Sequence, residues 1–513
     1  MTDSLRLAYD QTPYDSRPIT ASHIDNLATI ARFYGLSSAR PDRCRVLELG
    51  CASGGNLLPM ALAYPDSEFV GIDLSPAQIA EGQRLVVECG VTNLRLEALS
   101  ITDLDLTGDK FDYIVCHGVY SWVPPEVQDA SLRACSALLA PDGIAYVSYN
   151  TYPGWHARML VRDMMLAQDD RTLPPMERVA RARAYVARIV EKMGDRSSTH
   201  AAALREEAKV IAHQPDAQVL HEQLEPFNEP LLVTEFARRA ALHGLQHVAD
   251  ARIEDVVRMA TVARPRTQAE RIRAEQDDDF ATGRTFRRSV LCHAARTIAD
   301  PPRVDAVREL EIGSRAEAAA PSAEDAARGP FVRAFRVPEG VTVTSDDPLL
   351  AACMDTLFTV APASMPFERL AGEVRERLAA MPLPESAVEA TERLPSLVLR
   401  VAAAGLLTLR TLPHGFAPRV SDRPVASRLA RWQARRGPSV STMYHLTMQV
   451  LPLEQFLLPF LDGARDRSGL AEELARALDD GRMKVETRPN PEQMQGLVAG
   501  ALERLCAFGL LVG

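Results

Sequence analysis

The sequence predicts an α/β fold: a doubly wound, mostly parallel sheet of seven strands. A helical insertion and a mainly helical C-terminal region, in which a winged-helix-like unit is one reading, complete it. Three observations predict this. Short apolar runs alternate with amphipathic stretches between Arg45 and Asn150, the first run empties into a glycine-rich turn, and two further apolar runs follow a long helical tract.

Residues 46–49 read as the first strand, 69–72 as the second, 94–96 as the third and 111–116 as the fourth. The turn Pro141-Asp142-Gly143 introduces a fifth at 144–148. Stretches of helical period, such as 76–89 and 127–139, supply the crossovers that parallel strands require. After Trp155, Arg- and Ala-rich helical segments run to about Gln218 without a strand signal. Residues 234–243 read as a helix stopped at Gly244, and the runs 245–249 and 289–293 as an antiparallel pair closing the sheet. The helices of about 160–225 are then an insertion over the carboxyl ends of the strands. A first domain of 1–298 is expected, then a linker at 299–330 rich in Ala, Pro, Glu and Arg, then a region 331–513 for substrate recognition or interaction. Two stretches of that region, 401–409 and 505–512, end alike, which suggests a duplicated winged-helix-like unit.

The chain has 513 residues, 46% of them apolar and 25% charged, as expected of a soluble folded protein of two or three domains. A net charge of −10 argues against nucleic acid as a partner, because phosphate tracking needs clustered Lys and Arg. The local exception, Arg428, Arg431, Arg435 and Arg436 around Trp432, reads as a solvated helix face. Eight scattered cysteines without a C-x-x-C pair point to buried thiols, no metal and a reducing compartment. No basic-then-apolar leader and no uninterrupted apolar span is seen, since Arg400 breaks the strongest run at 397–409. A cytoplasmic location without membrane insertion is the expectation.

Chemistry concentrates after the first strand, in Glu48-Leu49-Gly50-Cys51-Ala52-Ser53-Gly54-Gly55-Asn56. Glycines there let the backbone approach a ligand, and the amides opening the next helix suit an anionic group. Gly50, Ala52 and Gly55 also fit a dinucleotide fingerprint with its middle glycine replaced, so a dehydrogenase is a rival, and a plain tight turn is the bland alternative. Asp73 ends the second strand about 20 residues on, where a carboxylate accepts both ribose hydroxyl protons. That acid serves either rival. The spacing E-x-G-x-x-x-G and the lack of a paired His and Asp set downstream disfavour hydride transfer.

With Phe69-Val70-Gly71-Ile72-Asp73-Leu74-Ser75, Cys116-His117-Gly118-Val119-Tyr120-Ser121-Trp122-Val123-Pro124 and Val147-Ser148-Tyr149-Asn150-Thr151-Tyr152-Pro153-Gly154-Trp155, the turn resembles those of class I S-adenosylmethionine-dependent methyltransferases that bear a methyltransferase regulatory domain. Tyr9-Asp10-Gln11-Thr12-Pro13-Tyr14, Leu224-Glu225-Pro226-Phe227-Asn228 and Asp279-Phe280-Ala281-Thr282-Gly283-Arg284-Thr285-Phe286-Arg287 are similar to further segments of that group. The resemblance covers about 5–297, makes 219–297 a regulatory-domain-like segment, and extends to the rickettsial protein lysine methyltransferases. It implies S-adenosylmethionine as cofactor. Gly50 and Ala52 would lie under its methionine part, Asp73 at the ribose, and Ser100 and Ile101 at the adenine, with Tyr14, Glu48, Gly54, Asn56, Leu74 and His117 as further cofactor-binding residues. Ser100 stands where an acid is common, and Ala52 where a glycine is.

Methyl transfer asks for in-line positioning and a neutral nucleophile. A lysine amine of pKa about 10.4 is neutral in on the order of one molecule in a thousand at pH 7, so its site must desolvate it. Tyr120 and Trp122 after the fourth strand, with Tyr149, Tyr152 and Trp155 after the fifth, are the candidate aromatic channel, and packing under the insertion is their alternative role. His117 is either a proton acceptor or a holder of a carbonyl. A base-amine methyltransferase is disfavoured, because His117-Gly118-Val119-Tyr120 stands where an Asn/Asp-Pro-Pro-aromatic motif belongs, and Asn150-Thr151-Tyr152-Pro153 follows the wrong strand. The expected activity is methylation of an amine, foremost a protein or peptide lysine. Small-molecule or natural-product peptide methylation and a non-enzymatic cofactor-binding module are the alternatives, with a homodimer as candidate assembly.

Overall fold

The computed structural model describes residues 16–329, 332–337, 340, 342–381, 390–413, 415–485 and 487–513. Its centre is a seven-stranded sheet of β1 (Arg45–Leu49), β2 (Glu68–Asp73), β3 (Leu94–Ala98), β4 (Phe111–Cys116), β5 (Leu139–Asn150), β6 (Leu245–Asp250) and β7 (Phe286–His293). They lie in the order β3-β2-β1-β4-β5-β7-β6. β7 is antiparallel to both its neighbours, and the pairings among β1 to β5 are parallel. The order reverses between β1 and β4, which opens a crevice at their carboxyl ends.

Both faces of the sheet are buried, so its strands are apolar at successive positions rather than alternating with polar ones. Val46, Phe69, Tyr113, Val115 and Tyr146 face one core, with helices Ile24–Phe33, Leu57–Ala63 and Pro76–Glu88 over them. Leu47, Leu49, Ile114, Cys116 and Val147 face the other, under helices Pro125–Leu138 and Val233–Leu242. Helix Pro76–Glu88 starts where its sequence dictates: the Ser75 side chain accepts from the Gln78 amide and proline fills the first turn.

β5 departs from expectation at its start. Leu139 already pairs with Phe111 and Ile144 with Tyr113, so the Pro141-Asp142-Gly143 turn is looped out of a strand rather than placed before it. Helices Trp155–Leu166, Pro175–Met193, Thr199–His213 and Asp216–Gln223 form the insertion around a core of their own, including Val161, Met165, Val186, Leu204 and Leu220. Buried Arg162 donates to the carbonyls of Glu222, at 3.0 Å, and Glu225 at the end of the last helix.

The expected linker at 299–330 is corrected. It holds a 3-10 helix, Val304–Glu309, and the strand Glu311–Ser314, which pairs with both Met365–Pro366 and Leu407–Arg410. Ala306, Val307, Leu310 and Ile312 are buried in the first core, which continues without a break into Leu350, Val374, Leu397, Val398 and Leu407. A few apolar side chains in a stretch rich in Ala, Pro, Glu and Arg thus decide burial where composition suggests exposure. The two similar stretches each end a helix, Leu394–Ala403 and Pro491–Ala507, at a glycine of positive φ, Gly405 and Gly509. The second belongs to a winged-helix unit with its own core, built from helices Arg428–Ala434, Pro452–Leu457, Arg467–Asp479 and Pro491–Ala507 and the hairpin Ser439–Ser441 and Thr447–Gln449.

The arginine helix is likewise docked, not merely solvated. Arg428 donates to the carbonyls of Cys89 and Gly90 at 3.3 and 3.4 Å, Trp432 donates to Glu88, and Arg436 stacks on Trp432 at 3.4 Å. Cations there meet the negative end of helix Pro76–Glu88. Among the described residues, no helix is long and apolar enough to cross a membrane.

Candidate active site

At the end of β1 the chain folds back through Gly50, Ala52 and Gly54, with φ of +75°, +50° and +77°. The Gly50 and Cys51 amides donate to the Ile72 carbonyl at 2.9 and 3.0 Å, clamping the turn to β2. Gly50 is required on two counts, since a Cβ there would stand 2.4 Å from Val119. Ala52 holds a left-handed conformation that costs a non-glycine residue roughly 1 kcal/mol, offset by its amide donating to Asp73 Oδ2 at 2.9 Å. The Ser75 amide donates to Asp73 Oδ1, also at 2.9 Å. Asp73 is therefore fixed by two backbone groups, and carboxylate oxygens have acceptor capacity beyond one bond each.

Behind the turn, buried Glu48 accepts from Asn56 Nδ2 at 2.9 Å, while its Oε2 is buried without a hydrogen-bond partner among the described residues. Burial pushes its carboxyl up to about 8; the Asn56 bond opposes that and the Asp73 charge adds to it. Ser16 lies across the turn: its Oγ accepts from the Gly55 amide at 2.8 Å, and a Cβ on Gly55 would meet the Ser16 carbonyl at 2.2 Å. Leu74 is half-buried at the end of β2. Ser100 and Ile101 open the 3-10 turn after β3, where the Ser100 hydroxyl accepts from the Thr102 amide at 3.3 Å. Tyr14 lies outside the described residues.

His117 follows β4 with Nδ1 2.9 Å from the Tyr146 hydroxyl. The Gly118 amide donates to Ser148 Oγ, and Ser148 bonds in turn to Tyr146. Burial, then the charges of Arg288 and Arg17, hold the ring's pKa down at about 3, so it is neutral at physiological pH. A neutral ring with so low a pKa is a poor proton acceptor, and its contact with the Tyr146 hydroxyl fixes its orientation at the end of β4.

The expected aromatic channel is divided by the fold. Tyr120 and Tyr149 are buried in the core beneath helix Val233–Leu242, with rings 5.4 and 4.2 Å from Phe236, and Tyr149 hydrogen bonds to Ser289 at 3.1 Å. For these two the channel expectation is corrected: they fill space under a helix that the local sequence does not reveal. Trp122 and Trp155 meet edge to face at 5.8 Å, and Tyr152 stacks on His156 at 4.2 Å. Trp155 is buried, and its Nε1 has no hydrogen-bond partner among the described residues.

Three polar side chains that the sequence reading passed over tie these loops together. Ser121 accepts from the Asn150 amide at 2.9 Å and donates to the Glu229 carbonyl at 3.0 Å, while Asn150 donates to Asn228 at 2.7 Å. A Cβ on Gly154 would press on the Gly283 and Arg284 carbonyls at 2.4 and 2.5 Å. Arg284 and Arg287 are in turn pinned by the buried carboxylates Asp250, Asp255, Glu275 and Asp279. The place of Asn150, Asn228 and Arg284 within the family-like segments 147–155, 224–228 and 279–287 was the available signal.

A sheet with its antiparallel strand next to the edge, a left-handed turn after β1 and a carboxylate closing β2 define a class I S-adenosylmethionine-dependent methyltransferase. Residues 47–145 match the family described as a methyltransferase domain, 215–293 the predicted methyltransferase regulatory domain, and 422–510 the C-terminal winged helix domain of PKMT. The uncharacterized protein RP789 of Rickettsia prowazekii is 30% identical across 98% of this chain and 93% of its own length. Another protein of that organism, the uncharacterized RP028, is 40% identical over 46% of this chain and 94% of its own. The structure of PKMT2 from Rickettsia typhi superposes with a TM-score of 0.84 at 27% identity, covering 98% of this chain and all of that one. Its complex with AdoHcy gives 0.81 over the same span. The chain belongs to the class I S-adenosylmethionine-dependent methyltransferases that carry the regulatory domain.

Proposed function

We propose that this enzyme methylates the side-chain amine of lysine in a protein substrate. The observation that carries the reading is the likeness to PKMT2 along the whole chain, winged helix included, rather than over the common sheet alone. S-adenosylmethionine supplies an electrophilic sulfonium methyl. The residues present fit it: the turn at Gly50, Ala52 and Gly54 would let the backbone approach the methionine part, Asp73, held by the Ala52 and Ser75 amides, would accept from the ribose hydroxyls, and Ser100 and Ile101 would flank the adenine. Buried Glu48, with one oxygen unpartnered among the described residues, suits a cationic ligand. The eight buried free thiols suit a reducing, cytoplasmic setting.

Glu48 gives the first prediction. A carboxyl raised from 4.5 to about 8 keeps its proton in the folded chain where an unfolded one has lost it. The folded state thus holds more protons across that window, and the stability of the free enzyme falls as pH rises through it. A cofactor cation near Glu48 favours the carboxylate, so S-adenosylmethionine binding at pH 7 releases up to one proton. Calorimetry in buffers of different ionisation enthalpy reads that release, which Glu48→Gln abolishes. Buffer-independent heats for the wild type would refute it.

On the acceptor side, part-exposed Tyr152 with His156 and Trp122 forms the ring surface that desolvates the amine and attracts its methylated form. Tyr152→Ala is expected to lower turnover roughly fivefold to tenfold while leaving cofactor affinity unchanged, the pattern of an interaction used in the transition state. Equal losses in both would make Tyr152 a packing residue. Turnover rises between about pH 7 and 9 as the neutral amine fraction grows. The acceptor is tested by incubating cell lysate with isotope-labelled cofactor and mapping the label by mass spectrometry. An acid- and base-stable methyl on lysine is expected; a base-labile ester, or label confined to metabolites, sinks the lysine reading.

A further inference from the structure

The winged-helix hairpin ends inside the catalytic half. Its tip, between Ser439–Ser441 and Thr447–Gln449, is a tight turn in which the Thr442 amide donates to the Leu446 carbonyl and His445 takes φ +60°. His445 is buried and lies 2.8 Å, through Nε2, from Asn56 Oδ1, a contact between residues 389 apart in sequence. Its backbone is held as well, since the Thr20 hydroxyl donates to the His445 carbonyl at 3.0 Å, and its ring meets that of His23 edge to face at 4.8 Å.

Asn56 is where this contact reaches the cofactor turn. Its Oδ1 also accepts from the Ile19 amide at 2.9 Å, and its Nδ2 donates to Glu48 at 2.9 Å and to the Ser22 hydroxyl at 3.1 Å. A carboxamide has distinct ends, so donors on Oδ1 dictate that Nδ2 faces the carboxylate. Burial and the nearby Arg410 charge lower the His445 pKa to about 3, which leaves a neutral ring able to donate through Nε2.

We propose that His445 is a positioning residue of the cofactor site: docked from the winged-helix tip, it orients Asn56 and, through it, Glu48. The C-terminal unit therefore sets cofactor affinity in addition to any part in substrate recognition. The inference rests on the S-adenosylmethionine reading of the turn.

Calorimetric titration of the full chain with S-adenosylhomocysteine tests it on three variants. His445→Leu removes the donor and is expected to weaken binding about threefold to tenfold, the range for one neutral hydrogen bond. In turnover assays it raises the KM for the cofactor and leaves kcat in place. His445→Gln, whose amide nitrogen reaches the position of Nε2, restores affinity to within about twofold. His445→Asn suits the left-handed backbone better yet is too short to reach Asn56, and it stays weak. If Asn binds as well as the wild type, the histidine serves only the turn and the proposal is overturned; wild-type affinity in His445→Leu overturns it too. Should His445→Leu fail to fold, the Gln and Asn pair decides alone. A wild-type chain that takes no S-adenosylhomocysteine sinks the cofactor reading itself and this inference with it, which is a distinct result from equal binding by all variants.

Discussion

Asp73→Ala is expected to weaken S-adenosylmethionine binding by roughly tenfold to more than a hundredfold, because hydrogen bonds to a charged group contribute about 1.5 to 3 kcal/mol. The loss has two sources. The ribose hydroxyls lose their acceptor, and the amides of Ala52 and Ser75 lose the carboxylate that holds them at 2.9 Å. Ala52 sits at φ +50°, so without that bond the turn relaxes away from the ligand-ready shape. Asp73→Asn keeps one acceptor oxygen and is expected to fall between the wild type and Ala. Calorimetry on folded variants measures all three. Tighter binding of a nicotinamide dinucleotide than of S-adenosylmethionine, or unchanged affinity in Asp73→Ala, contradicts the assigned role.

Cutting the chain at residue 330 is expected to abolish cooperative folding and, with it, cofactor binding. The sheet's first core runs through helix Ile24–Phe33 into Leu350, Val374, Leu397 and Leu407, and helix Ile253–Arg258 packs on helix Leu394–Ala403. Each fully buried side chain of this kind contributes about 1.5 to 3 kcal/mol. Losing the cover of Ile24, Leu27, Val256 and their neighbours therefore exceeds the roughly 5 to 15 kcal/mol that separates folded from unfolded states. Asp25 adds to the loss, since it accepts from the Thr411 amide at 2.9 Å and pairs with Arg410 at 2.8 Å across the same contact. Removing only the winged helix, which has its own core, is expected to leave a folded but weaker cofactor binder. Thermal melts and light scattering read both truncations. A monomeric, cooperatively melting 1–330 fragment with full cofactor affinity would show that the shared core is dispensable.

Much of the fold was legible because it is written in local periods. Runs such as Val46-Leu47 and Tyr113 to Cys116 are apolar at consecutive positions, as strands buried on both faces must be, and the helices between them keep a 3.6 period. The turn from Gly50 to Gly54 and the acid at Asp73 were legible for a related reason, since backbone conformation and a strand-end carboxylate leave short-range marks. The start of β5 was misread because Pro141-Asp142-Gly143 looks the same before a strand as looped out of one.

Burial is another matter, because it depends on what arrives from elsewhere in the chain. Tyr120 and Tyr149 are covered by Phe236 where Tyr152 is not, and nothing near them in sequence announces that ring. Residues 299–330 looked like a connection because a few buried apolar side chains weigh little in composition, yet their partners lie as far off in the chain as helix Ile24–Phe33 and the strand Leu407–Arg410. The arginines about Trp432 were expected to face water, yet Arg428 closes on the carbonyl end of a helix some 340 residues earlier and Arg436 pairs with Glu88 there. The sequence by itself determined the sheet, the crevice, the turn and its acid, all properties of neighbouring residues acting on one backbone. Only the tertiary structure decided which rings are open, that both halves share one core, and that His445 reaches Asn56, because packing brings together groups whose identities no local pattern links.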